Sequence, residues 1–184
     1  MLQIIETLTI KNKYDMEENL KFREATVSDS TLINELAAQV FPQTYSVILS
    51  PKQLDYMFDM MYSLHSLRNQ MEMEHQKFFL IYKNNKPCGY LSIEKVNDSF
   101  YRFQKIYCLP ECQKRGVGRF IIEQGIKYLS ENYQHPFTIE LFVNRDNPAY
   151  GFYKHVGFST FGTRDEPIGD GYFMNDYIMR KEIK

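Results

Sequence analysis

The sequence predicts an α+β layered fold, a mostly antiparallel sheet of six to seven strands flanked by about four helices. Three observations predict it. Short runs alternate apolar with polar residues, longer stretches repeat apolar residues at helical spacing, and turns bearing Asn, Gly or Pro divide one from the next. With 184 residues, 43% hydrophobic content, 14 phenylalanines and 14 tyrosines, the chain can bury the core of one domain. Residues 1–20 read as an N-terminal extension, an edge strand or a helix added to the fold, and residues 21–184 as the single domain.

A short strand from Phe22 to Ala25 leads into Thr26-Val27-Ser28-Asp29, a capping cluster before a helix with Leu32, Ile33, Leu36, Ala37 and Val40 on one face. Ser50-Pro51 opens a long second helix, with Leu54, Met57, Phe58, Met61, Leu64 and Leu67 at helical spacing up to about Met71. Its stripe of methionines and aromatics reads first as packing and second as a pocket wall. Two strands, 78–82 and 88–93, form a hairpin about Lys83-Asn84-Asn85-Lys86. The strand from Phe100 to Leu109 alternates Tyr101, Phe103, Lys105 and Tyr107 against Arg102, Gln104, Ile106 and Cys108. A helix follows over 116–132, then a strand over 137–143, a short helix over 147–155, and two strands, 158–163 and 172–181, about the turn Pro167 to Gly171.

A formal net charge of −1 lacks the basic excess that binding nucleic acid by phosphate neutralisation requires. The three cysteines, Cys88, Cys108 and Cys112, are odd in number and lack metal-ligand spacing, and the four histidines are scattered, so free thiols and no metal are expected. No run approaches the roughly 18 apolar residues of a membrane helix, and no secretory leader pattern opens the chain. The expected compartment is the cytoplasm. The N-terminal segment and the aromatic-rich second helix both offer apolar area for a homodimer.

Gln113-Lys114-Arg115-Gly116-Val117-Gly118-Arg119 lies between a predicted strand and a predicted helix, where backbone N–H groups and the positive end of the helix converge. Gly116 permits a backbone shape that other residues resist, and Gly118 allows close approach. Lys114, Arg115 and Arg119 add positive charge, making a cradle for a pyrophosphate. No Gly-Lys-Ser/Thr follows, as an ATP loop would need, and Ile121 stands where a dinucleotide loop has its third glycine.

In these residues the chain resembles the GNAT superfamily of N-acetyltransferases. Gln113, Gly116 and Gly118 match its Arg/Gln-x-x-Gly-x-Gly/Ala signature, directly after a strand ending Ile106-Tyr107-Cys108-Leu109-Pro110. Its second recurring block, Asn-x-x-Ala-x-x-Phe-Tyr-x-x-x-Gly-Phe, is matched at every specified position from Ala149 to Phe158, with Asn147 one position nearer the alanine than the block's asparagine. The resemblance covers roughly Phe22 to Lys181 and implies the GNAT fold, α/β/α layers about a mixed sheet with one splayed pair of strands. It implies acetyl-CoA as cosubstrate, with the backbone of Ile106, Tyr107 and Cys108 along the pantetheine arm, the signature loop on the pyrophosphate, and Asn147 and Tyr150 nearby. The run Gln104-Lys105-Ile106-Tyr107 is similar to that of bacterial diamine and polyamine acetyltransferases.

The implied reaction is direct attack by a neutral primary amine on the thioester carbonyl in a ternary complex, with no acyl-enzyme. The backbone N–H of Cys108 would hold the developing oxyanion, and Tyr153 would protonate the departing thiolate. An amine near pKa 10 must first lose a proton. Many relatives carry a glutamate on the strand before the signature; here Gln104 and its neighbours stand there, which leaves Glu94, Glu140 or water as the route. Asp165, Glu166, Asp170 and Asp176 gather near the last loop, where they would draw a polyamine or a peptide N-terminus by charge. The missing glutamate also leaves open a non-catalytic acyl-CoA sensor that keeps the fold.

Overall fold

The computed structural model describes residues 20–73 and 76–184. The expected N-terminal extension lies outside them except for Leu20, which opens the first strand instead. In chain order the elements are β1 (Leu20–Glu24), a 3-10 turn at Val27–Asp29, α1 (Ser30–Tyr45), α2 (Pro51–Tyr62), α3 (Leu64–Glu72), β2 (Gln76–Lys83), β3 (Lys86–Asn97) and β4 (Phe100–Cys108). A 3-10 turn at Pro110–Cys112 leads to α4 (Val117–Asn132), β5 (Phe137–Asn144), α5 (Ala149–His155), β6 (Ser159–Gly169) and β7 (Tyr172–Ile183).

The predicted α+β layers are present, with five helices among the described residues. The expected second helix divides at Ser63, whose ψ of 149° leaves the helical range and whose hydroxyl accepts from the Ser66 N–H to cap α3. Ser50 caps α2 in the same way through the Gln53 N–H, with Pro51 in its first turn.

All strands join one sheet of order β1-β2-β3-β4-β5-β7-β6. Only the β4–β5 contact is parallel, the mark of the α4 crossover between them. The β2–β3 hairpin turns on Asn84 and Asn85, both at positive φ, which suits the twist of a tight hairpin. Consecutive β3 residues show the two faces: Tyr90 lies edge-on to Tyr62 of α2, while Leu91 is met by Gly125 of α4. Helices α1 to α3 therefore cover one face. Helices α4 and α5 share the other, where the Phe152 ring reaches Gly118.

Two irregularities in β4 shape the centre of the molecule. Ser92 pairs with Lys105 and Ile93 with Phe103, so Gln104 is an extra residue. This bulge breaks the even alternation expected of the strand. Tyr101 and Phe103 face α4, but Lys105 and Tyr107 turn to the helix α1–α3 side, beside Phe78 and Tyr90 respectively. The second irregularity is the splay. Pairing of β4 with β5 runs only from Phe100↔Thr138 to Phe103↔Leu141, after which the strands diverge.

Candidate active site

The signature turn sits where β4 ends. Gln113 donates its amide to the Cys108 carbonyl at 3.4 Å, Lys114 is left-handed at φ 58°, and Gly116 has φ 81° immediately before α4. An L side chain at 116 would be strained there. Gly116 also offers no capping side chain, and the N–H groups of Val117, Gly118 and Arg119 have no partner within a helix that starts at Val117. Gln113, Lys114, Arg115 and Gly116 are exposed, and Arg119 lies 3.8 Å from Glu123. Val117 is the exception, since its side chain is buried and only its backbone faces the turn.

Tyr153 of α5 is nearly buried and packs against Phe152 and Phe158. Burial pushes its hydroxyl well above the ordinary tyrosine range, with Tyr45 and Cys108 in electrostatic reach, so it stays protonated. The hydroxyl has no hydrogen-bond partner among the described residues. Asn147 uses its side-chain oxygen to cap the start of α5, accepting from Ala149 N–H at 2.9 Å, and its amide lies beside the Tyr45 hydroxyl. Tyr150 packs against Tyr177 with the rings tilted by 35° and meets the Thr160 hydroxyl at 3.0 Å, which fixes it against β6 and β7. At the end of β4, Ile106, Tyr107 and Cys108 are half-buried, and the Tyr107 hydroxyl meets that of Tyr45 at 3.1 Å. Burial raises the Cys88 thiol to about 12 and the Cys108 thiol to about 11, which makes both poor nucleophiles.

On the opposite face a cavity of about 370 Å³ opens between α1, α2, α3 and strands β4 to β7. Its apolar wall includes Phe41, Met57, Met61, Phe142 and Met174, so the methionine stripe of α2 contributes to a pocket as well as to packing. Its charged lining residues are Lys105, Arg164, Glu166 and Asp176. Lys105 is buried and donates to the Gln70 side chain.

Neither sequence-proposed carboxylate lines this cavity. Arg102 donates to Glu140 Oε1 through Nε and Nη2, and Arg180 Nε donates to Oε2, so both oxygens of Glu140 are engaged. Glu94 Oε2 accepts from Arg102 and Gln104. The four acids expected near the last loop do not form one patch. Asp165 pairs with Arg145 and Asn175, Asp170 occupies the left-handed β6–β7 turn, Glu166 is exposed on the cavity lining, and Asp176 is buried beside Arg164. Tyr45, Arg164 and the buried setting of Asp176 are features that sequence reasoning missed. The available signal was a carboxylate within an otherwise apolar-bearing strand, Met174 to Met179.

Among the described residues, no helix is long and apolar enough to cross a membrane, and no group of three or more His, Cys, Asp or Glu side chains could hold a metal ion. No curated protein matches the chain. Solved structures with this fold include a PaiA N-acetyltransferase from Thermoplasma acidophilum in complex with coenzyme A, at TM-score 0.71 and 18% identity, with 89% of this chain and 99% of that chain covered. The ribosomal-protein-S18-alanine N-acetyltransferase from Escherichia coli gives TM-score 0.65 at 19% identity, with 89% and 94% covered. The spermidine/spermine N-acetyltransferase SpeG from Vibrio cholerae gives 0.61 at 20%, with 91% and 94% covered. A family model, the acetyltransferase (GNAT) domain, matches residues 48–180. With that match spanning most of its length, the chain belongs to the GNAT acetyltransferases and is an acetyl-CoA-dependent acyltransferase.

Proposed function

We propose that this enzyme transfers the acetyl group of acetyl-CoA to a primary amine, either a polyamine, a small amine or a peptide N-terminus, by direct attack in a ternary complex. The observation that carries the reading is the meeting of two ligand-sized features at the β4–β5 splay, the glycine turn with Tyr153 on one face and the cavity on the other.

The residues at the turn fit coenzyme A. The left-handed Gly116, the unpartnered first-turn amides of α4 and the cationic Lys114, Arg115 and Arg119 suit a pyrophosphate, helped by Gln113, which braces the turn onto Cys108. The backbone of Ile106, Tyr107 and Cys108, released from β5, would hold the pantetheine arm, and Asn147 and Tyr150 would form the adjoining wall. The Cys108 N–H would take the developing oxyanion charge. Tyr153, kept neutral by burial, holds the proton that the departing thiolate needs. Direct attack is favoured over an acyl-enzyme because the Cys88 and Cys108 thiols are shifted so far from ionisation. A cytoplasmic location is supported by the unpaired state of all three cysteines.

The test is coenzyme A release from acetyl-CoA with a panel of amines, with Tyr153→Phe in parallel. Amine-dependent release that falls about 10²-fold in the variant is expected, the lower end of general acid–base contributions. Binding of acetyl-CoA without turnover on any amine would instead identify an acyl-CoA sensor.

A further inference from the structure

Asp176 combines three properties that the other carboxylates of this face lack. It lines the cavity, it is only 6% exposed, and its hydrogen bonds fall on one oxygen. Arg164 approaches Oδ2 through Nε and Nη2, both at 3.0 Å, and Oδ1 has no donor among the described residues. Oδ1 is also not sealed from solvent, since the Tyr90 hydroxyl is the only fully buried side-chain polar atom without a partner there. An acceptor-only oxygen of this kind, in a cavity walled by Phe41, Met57, Phe142 and Met174, matches an ammonium group.

We propose that Asp176 receives the acceptor as an ammonium on Oδ1 and takes its proton. The proposal rests on the acetyl-transfer reading above. One N–H bond of the ammonium breaks and its proton passes to the Asp176 carboxylate, then to solvent as the one proton released per turnover. The freed nitrogen lone pair bonds the thioester carbonyl carbon, the carbon–sulfur bond breaks, and the thiolate takes the Tyr153 proton. Nitrogen loses a second proton as the amide forms, and that proton restores the Tyr153 hydroxyl, so the enzyme ends the turnover as it began.

The groups facing Asp176 are Arg164 and Asp165 on β6, Arg145 beyond β5, and Tyr45 on α1. Burial raises the carboxyl above its ordinary range, and Arg164 works against that rise.

The experiment measures kcat and KM across pH with phenethylamine and spermidine for the wild type, Asp176→Asn, Asp176→Glu and Arg164→Gln, with calorimetric acetyl-CoA binding as the check on folding. Expected with either amine that turns over is a kcat in Asp176→Asn reduced about 10²-fold with coenzyme binding intact, in line with loss of a general base. Partial recovery in Asp176→Glu is also expected, as is a wild-type acidic limb of kcat that is lost in Asp176→Asn and moved to higher pH in Arg164→Gln. An Asp176→Asn enzyme that keeps that limb and most of its kcat would overturn the proposal while leaving acetyl transfer in place. A wild type that acetylates no amine removes both.

Discussion

The Arg102 guanidinium holds Glu140 Oε1 with two nitrogens at once, Nε at 3.0 Å and Nη2 at 2.9 Å. Glu140 is buried, and Arg180 holds its other oxygen, so the carboxylate joins β4, β5 and β7 across the sheet. Replacing Glu140 by Gln leaves two guanidinium groups facing a neutral amide and is expected to cost about 3 kcal/mol in urea unfolding, as for a broken buried pair. Glu94→Gln, at a partly exposed pair, is expected to cost less than about 1 kcal/mol. In both variants the acidic limb of the rate profile should persist. Its loss in either would return that carboxylate to the proton path.

A second prediction concerns Gly125. A Cβ built there comes within 2.8 Å of Leu91 Cδ2 and Phe103 Cζ, both buried core atoms. Alanine adds about 1 kcal/mol of helix propensity, but overpacking a filled core costs about 1–3 kcal/mol. The expected result for Gly125→Ala is a net loss of about 1 kcal/mol by denaturant unfolding. A gain would mean that α4 can shift away from the sheet freely.

The coenzyme turn offers a third. Gly116→Ala must either hold alanine at φ 81° or reshape the turn, and acetyl-CoA affinity measured by calorimetry is expected to fall at least about tenfold. Replacing the exposed Lys114 and Arg115 by Gln should also flatten the salt dependence of wild-type binding, because exposed charges act through screened attraction. Unchanged affinity in Gly116→Ala would place the pyrophosphate elsewhere.

Acid stability provides the fourth. Asp29 accepts from the Thr26 N–H and pairs with Arg23, whose guanidinium holds the carboxyl at about 2, below the ordinary range. A carboxyl depressed on folding contributes stability that is fully present above its unfolded value near 4 and is lost as pH falls toward 2. Asp29→Asn should therefore lower the melting temperature at pH 7, with the gap to wild type closing between about pH 4 and pH 2. A gap constant over that range would show that the ion pair contributes nothing.

Much of this was legible because the relevant signals were local. Asn84-Asn85 announced the hairpin, Ser50-Pro51 the start of α2, and Gly116 the turn before α4, each through the conformational preference of one or two residues. The bulge at Gln104 had no such signal. A two-residue period carried straight through it groups Lys105 and Tyr107 with Tyr101 and Phe103, whereas the ladder turns Lys105 and Tyr107 toward the cavity. The break at Ser63 lay inside a continuous helical period and was visible only as an N-cap residue type. Asp176 was identified as one acid among four near a loop. What sets it apart, burial against Arg164 and a place on a cavity wall built by α1, α2 and β4, depends on contacts between segments far apart in sequence.

The early end of β4–β5 pairing bears on the order in which substrates arrive. A gap in a sheet has two mouths, and here the glycine turn lies toward one and the methionine-walled cavity toward the other. Neither ligand need leave by the door the other uses. Initial-velocity plots at several fixed acetyl-CoA concentrations should then intersect rather than run parallel, and an amide product held in the cavity should slow the enzyme competitively against the amine but not against acetyl-CoA.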